Sequence, residues 1–208
     1  MKKITTSLCL VLAALALVAA GCKKKEETGG SGSGSAAASG SAAPVDPQPA
    51  VDYLKLVADH TDEAKGKVEI VFSKWSVVKA SFDPANLEGG TAELEVDPSA
   101  LSSGVTKRDD HLRSPDYLDV AKFPKATVKI ANVKKAGERA YTADATVNIH
   151  GVEKTWALSF EVTASTADSV QVKFTQPFSR VDFGVGKPEE DSAKPEVELH
   201  GLLTIKQT

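Results

Sequence analysis

From Lys67 to Lys206, apolar and polar residues alternate with a period of two in segment after segment. Successive side chains of an extended chain point to opposite faces, so this spacing predicts strands with one buried and one wet face. Val68, Ile70 and Phe72 share a phase, and Ala92, Leu94 and Val96 oppose Glu93, Glu95 and Asp97. Val128 and Ile130, then Ala143, Ala145, Val147 and Ile149, then Trp156, Leu158, Phe160 and Val162 continue it. Val170, Val172, Phe174 and Phe178, and finally Val197, Leu199, Leu203 and Ile205, complete the series. Glu88-Gly89-Gly90, Ala136-Gly137-Glu138 and His150-Gly151-Val152 read as turns joining consecutive strands. Long consecutive antiparallel strands with one apolar face favour closure, which removes exposed edges. The expected fold is all-β, an antiparallel barrel of about eight strands, a size whose interior holds its own side chains or one ligand.

The inward groups bear on which of the two applies. Ala92, Ala143, Ala145 and Gly201 are small, Val68, Val96, Val147 and Val172 are medium, and the bulky Phe72, Trp156, Phe160, Phe174 and Phe178 are few. Such a lining leaves volume for an apolar guest, whose burial is worth about 25 cal/mol per Å². On the residues alone a packed core fits equally well.

The ends carry different signals. Met1-Lys2-Lys3 is basic, Ile4 to Ala20 is an uncharged and mostly apolar run of 17 residues, and Gly21-Cys22 follows. This pattern predicts a secretory signal over residues 1–21 with a lipoprotein-type cleavage site before Cys22, which then carries the lipid anchor. A plain signal or an anchor helix is the alternative. Cys9 falls inside the signal, so Cys22 is the one thiol expected in the mature chain, and no intrachain disulfide is then available. Residues 22–50 are charged at first, then almost all Gly, Ser and Ala, then Pro-rich. That composition cannot bury enough apolar surface to fold and predicts a tether with a reach of about 30 Å. Residues 51–208 fit one domain. Without Lys2 and Lys3 the 25 basic residues fall to 23 against 28 acidic, a formal charge of −5. The positive groups are scattered, and no basic stripe marks a nucleic-acid partner.

Residues 107–124, KRDDHLRSPDYLDVAKFP, combine a dense charge run with apolar anchors and two X-Pro breaks. They predict a structured connection with a short helical turn near 106–119, ended by Ser114-Pro115. The run Arg108 to Pro124 resembles the R-D-x-H-L-x-S-x-D-[FY]-L-D-V-x-K-[FY]-P signature of the YceI-like family. Tyr141 to Lys154 resembles that family's G-x-L-T-L-H-G-V-x-K strand and turn, and Phe178 to Val185 its R-x-D-F-G-[IV] element. The first third departs from the family pattern, with Asp59-His60-Thr61 and Ser73 to Val78 where an H-S pair and K-H-x-G-[VI]-S are usual. The resemblance implies a lipocalin-like antiparallel barrel whose hydrophobic pore takes a polyisoprenoid or fatty-acyl chain. It also implies no cofactor beyond such a lipid, and a possible homodimer.

Site residues expected along the barrel are Val68, Ile70, Phe72, Leu94, Val96, Val147, Trp156, Phe160, Phe174 and Phe178, with Phe183 plugging one end. The loop after residue 106 is expected to close the mouth, with Leu112, Tyr117 and Leu118 facing the ligand. Asp109 and Asp116 are read as turn caps paired with Arg108 or Arg113, and His111 as bonded to a backbone carbonyl. An acid–base role for His111 with Ser114 is the weaker reading, since no G-x-S-x-G elbow accompanies it. His60, His111, His150 and His200 stand singly, without metal-ligand spacing, and His150 and His200 fall on the polar phase, where solvated side chains are expected. Arg180 is read as a structural ion pair rather than a head-group ligand, Gly184 as a turn at positive φ, and Gly184 to Pro195 as a mobile polar loop. The chain thus reads as a non-enzymatic envelope lipoprotein that sequesters or carries a long apolar or amphiphilic molecule. Its alternatives are a filled barrel acting as an interaction module, or a hydrolase built on His111. Lys23 after the anchor, where Asp would signal inner-membrane retention, favours the outer membrane.

Overall fold

The structure, a computed structural model, describes residues 51–208; the segments expected to be signal peptide and tether, and Cys22, lie outside the described residues. The strands are β1 (Tyr53–His60), β2 (Lys67–Phe72), β3 (Trp75–Asp83), β4 (Asn86–Val96), β5 (Leu101–Ser102), β6 (Ala126–Lys135), β7 (Ala140–Ile149), β8 (Val152–Ser165), β9 (Ser169–Ser179) and β10 (Ala193–Lys206), with one α-helix, α1 (Thr106–Arg113). They form one antiparallel sheet in the order β3-β4-β6-β7-β8-β9-β10-β1-β2-β5, curled into a half-barrel.

Ten strands rather than eight arise because two paths break at a shared corner. β2 runs into β3 through Ser73-Lys74, and β4 runs into β5 through a 3₁₀ turn at Pro98–Ala100. Pairing continues across the break: Phe72 opposes Leu101, Ser73 N–H donates to the Ala100 carbonyl (3.1 Å), Asp97 N–H donates to the Lys74 carbonyl (3.0 Å), and Trp75 opposes Val96. Counted as continuous paths the strands number eight. β3 pairs with β4 on one side only. On its other side Thr208 reaches it, donating from its N–H to the Ala80 carbonyl (3.2 Å) and accepting from Ala80 N–H at Oγ1 (3.0 Å).

The turn between β3 and β4 is not where the glycines stand. Pro84-Ala85 makes it, with Asp83 Oδ1 accepting from Ala85 N–H (2.9 Å), a side-chain mimic of a backbone turn. Glu88-Gly89-Gly90 instead lies inside β4, where the register slips between Ser81↔Thr91 and Asp83↔Asn86. This bulge turns Leu87 inward, and Leu87 is buried. At Gly90 a Cβ would meet the Leu87 carbonyl at 2.9 Å and Phe82 Cβ at 3.0 Å, so a side chain does not fit. The His150-Gly151 turn stands as read, joining Ile149 to Val152.

Candidate functional site

The curled sheet encloses a cavity of about 240 Å³ with an almost wholly apolar wall. Of the residues expected there, Phe72, Leu94, Val96, Leu118, Val147, Trp156, Phe160, Phe174, Phe178 and Phe183 line it. Four do not. Ile70 is buried, and Val68 lies opposite Ala58, which in turn opposes Val197; Ala58 and Val197 are both buried, so that end of the sheet is packed by its own side chains. Leu112, on α1, stays off the wall, and Tyr117 is turned instead to Asp191 (2.6 Å). Leu118 and Phe123 are the residues that this connection sends to the cavity.

The wall also has members that the alternation did not single out. Leu54 and Leu56 come from β1, Trp75 and Phe82 from β3, and Leu87 from the β4 bulge. Rings contribute more of the lining than the sequence suggested. Trp156 stacks on Phe178 (5.5 Å between centroids), both meet Phe183 edge-on (5.8 and 5.7 Å), and Tyr141 stacks on Phe160 (5.7 Å). Phe183 is 1% exposed and lies on the cavity wall beside Trp156 and Phe178. Gly201, one of the small inward residues, makes room for a ring rather than for a guest: a Cβ there would stand 2.3 Å from Phe174.

The charged connection holds itself together. Asp109 reaches back to Ser103, accepting from its N–H (2.8 Å) and hydroxyl (2.5 Å), and these bonds hold its carboxyl below the usual carboxylate range. Arg108 donates to the Ser103 hydroxyl (2.7 Å) and carbonyl (2.9 Å) rather than to an aspartate. Arg113 donates to the carbonyls of Ser99 (2.8 Å) and Leu101 (2.6 Å) and sits 3.4 Å from Asp110. The His111 ring packs edge-on against Tyr117 (5.0 Å) and lies 3.8 Å from Asp116, not on a backbone carbonyl. Ser114 Oγ donates to the His111 backbone carbonyl (2.7 Å), which is not the ring contact that a general base requires. Among the described residues no three His, Cys, Asp or Glu side chains gather as a metal set.

At the same end of the barrel Arg180 forms a buried ion pair with Asp191 (2.8 Å; side chains 8% and 9% exposed). Its guanidinium also donates to the carbonyls of Val185 (2.8 Å), Ala193 (2.9 Å) and Lys194 (3.2 Å). Asp191 accepts further from Tyr117 Oη (2.6 Å) and Lys187 N–H (2.8 Å). Burial, and then the carboxylate beside it, push the Tyr117 phenol well above its ordinary pKa. Gly184 takes the left-handed conformation as expected (φ 69°). The following segment is not a loose loop: the ion pair straps residues 184–192 to the barrel, and Gly186 (φ 74°) leaves space for Arg180, whose Nη1 a Cβ there would strike. His150 is likewise not a fully solvated side chain. It is half-buried on the cavity wall, packed on Phe123 (4.4 Å) with Nδ1 3.2 Å from the Phe183 carbonyl. The strand phase misled because residue 150 sits in the turn at φ 54° and no longer follows the pleat. His200 lies on the outer face between Thr175 (3.1 Å) and Glu198 (3.1 Å).

Comparison with known proteins agrees with this architecture. The crystal structure of BcnA from Burkholderia cenocepacia superposes with a TM-score of 0.65 at 24% identity, covering 74% of this chain and 96% of that one. A polyisoprenoid binding domain from Saccharophagus degradans, implicated in plant cell wall breakdown, superposes with a TM-score of 0.60 at 16% identity over 76% of this chain and 94% of that one. A UPF0312 protein of Pseudomonas savastanoi pv. phaseolicola is 36% identical over 74 residues, 36% of this chain and 38% of that protein. One from Vibrio cholerae is 31% identical over 88 residues, 42% and 47% respectively. The chain thus spans less than half the length of the curated relatives it matches. The YceI-like domain family matches residues 46–205, three quarters of the sequence and all but the last residue of the strands described above, and the chain belongs to that family.

Proposed function

We propose that this protein binds one long-chain apolar or amphiphilic molecule, of isoprenoid or fatty-acyl type, inside the curled sheet, and that it does so as an envelope lipoprotein anchored through Cys22. The observation that carries the reading is the apolar cavity of about 240 Å³, with Phe183 buried on its wall. Each buried CH₂ is worth about 0.8 kcal/mol, so ten buried carbons supply roughly 8 kcal/mol. Association costs on the order of 4–15 kcal/mol, so a short chain is held weakly and a long one well. The Saccharophagus degradans domain supports the same ligand class by likeness of fold. Sequestration or carriage is the role such burial serves; no reaction is required of the side chains.

Organic extraction of the purified full-length protein followed by mass spectrometry tests this. A stoichiometric isoprenoid or fatty-acyl species is expected. Extracts without lipid, together with failure to bind added long-chain probes, refute it. The anchor is tested separately: Cys22→Ser is expected to move the protein from the membrane pellet to the soluble envelope fraction, and an unchanged distribution overturns that part. Light scattering in solution decides between a monomer and the homodimer that the family resemblance implies.

A further inference from the structure

The polar side chains on the cavity wall are few: Thr91, Lys125, His150, Gln176 and Arg180. Both cations are already neutralised. Lys125 Nζ lies 2.6 Å from Glu95, and Arg180 is paired with Asp191 while each of its nitrogens donates to a backbone carbonyl. The Lys125 side chain is 61% exposed, so its pair with Glu95 stands in solvent; within the lumen an anionic head group must displace the buried Arg180–Asp191 pair or lie desolvated without a counter-charge, which is costly.

His150 offers the opposite chemistry. Its Nδ1 faces the Phe183 carbonyl, which can only accept, so Nδ1 carries the proton. In the neutral ring Nε2 is then a bare acceptor, and no donor among the described residues meets it. Gln176 gives one of its two Nε2–H groups to the Pro177 carbonyl (3.0 Å) and keeps its side-chain oxygen as an acceptor beside the remaining N–H. The position of His150 is also conformationally dear. It holds φ 54° in a two-residue turn, where Asn or Gly is the easier choice, and residues kept in such a conformation are often functional.

Resting on the lipid-binding reading above, we infer that His150 is the polar anchor of the ligand site and that the ligand carries a neutral donor head group, a hydroxyl of the prenol or phenol kind, rather than a phosphate or carboxylate. The long chain fills the apolar lumen, and the hydroxyl donates to His150 Nε2 at the end where Phe123, Phe183 and the β7–β8 turn meet.

The test uses one hydrocarbon skeleton with four ends: farnesene, farnesol, farnesoic acid and farnesyl phosphate. Trp75 and Trp156, the two tryptophans of the chain, both line the cavity and report binding by fluorescence. The full-length protein, delipidated, is titrated at about pH 8. Farnesol is expected to bind about 3- to 10-fold more tightly than farnesene, the worth of one partly buried neutral hydrogen bond, and more tightly than either anion. His150→Asn tolerates the positive φ and keeps a donor for the Phe183 carbonyl but has no group at the Nε2 position; it is expected to lose the preference for farnesol over farnesene. His150→Gln, whose side-chain oxygen reaches further, is expected to recover part of it. Tighter binding of the phosphate or the acid overturns the inference, as does a His150→Asn protein of wild-type thermal stability that keeps the full preference. If His150→Asn does not fold, the four-ligand order on the unmodified protein and on His150→Gln decides. Binding of all four with equal affinity refutes the head-group inference but spares the lipid-binding reading; binding of none removes both.

Discussion

The Arg180–Asp191 pair gives the sharpest quantitative prediction, because both charges are nearly inaccessible and every partner is identified. Asp191→Ala leaves a buried guanidinium without a counter-charge, and a Tyr117 hydroxyl and a Lys187 N–H without their acceptor. Breaking one side of a buried pair costs about 3–5 kcal/mol. Arg180→Met is expected to cost more, because it strands the Asp191 carboxylate and also the carbonyls of Val185, Ala193 and Lys194, each unsatisfied group adding about 1 kcal/mol or more. Arg180→Lys is not expected to rescue, since an ammonium lacks the fork that reaches three carbonyls and a carboxylate at once. The double variant Arg180→Met/Asp191→Ala removes both charges together, and its cost should fall about 2–3 kcal/mol short of the sum of the two single variants. In a domain of this size 1 kcal/mol corresponds to about 2–4 °C, so each single variant should lower Tm by roughly 10 °C or more. Urea unfolding followed by tryptophan fluorescence and far-UV circular dichroism measures all four corners of the cycle. Single variants costing under about 1 kcal/mol, or a double variant that is simply additive, refute the claim that a buried charge pair straps residues 184–192 to the barrel.

Gly201→Ala places a Cβ 2.3 Å from the Phe174 ring, so the ring must swing toward the lumen. A loss of about 1–3 kcal/mol in urea and weaker binding of any long-chain probe are expected, and unchanged affinity argues against a shared space. Gly186→Ala sets a Cβ against Arg180 at a positive φ and should reproduce much of the Arg180→Met loss in Tm. The hydrogen bond from Lys74 (2.8 Å), and then those from Ser99, hold the Asp97 carboxyl at about 2, below its ordinary 3.8. Its contribution to the β2–β3 corner is therefore complete above the ordinary value and lost as pH falls through the lowered one. Acid titration of wild type and Asp97→Asn should show their stability gap closing over that window, and a gap independent of pH contradicts the assignment.

The sheet and most of its inner face were legible because strand alternation is a local property: whichever neighbours a strand finds, Leu94, Val147, Trp156 and Phe160 must leave water together with their phase-mates. The charged connection was legible as structured, and its Leu118 does reach the cavity. Errors arose wherever a residue left the regular pleat. Glycines at 89 and 90 read as a turn, whereas Asp83 and Pro84 supplied the turn and the glycines a bulge that turned Leu87 inward. His150 carried the polar phase of β7 but sat past its end, where the turn swung the ring onto the wall. Tyr117 looked like a ligand contact because its ring is apolar; its hydroxyl had an appointment with Asp191, 74 residues away.

The amino-acid order alone determined that this chain makes long amphipathic strands, that they need a common apolar interior, and that a helix must stop before Pro115, because each depends on neighbours within a few positions. Only the tertiary structure decided how the interior is divided between packed core and cavity, and which charges are already satisfied by distant partners. The volume left inside a curled sheet depends on bulges, on the Phe174 ring lying over Gly201 and on the corner shared by β2–β3 and β4–β5. Those are long-range packing outcomes, and side-chain periodicity carries no record of them.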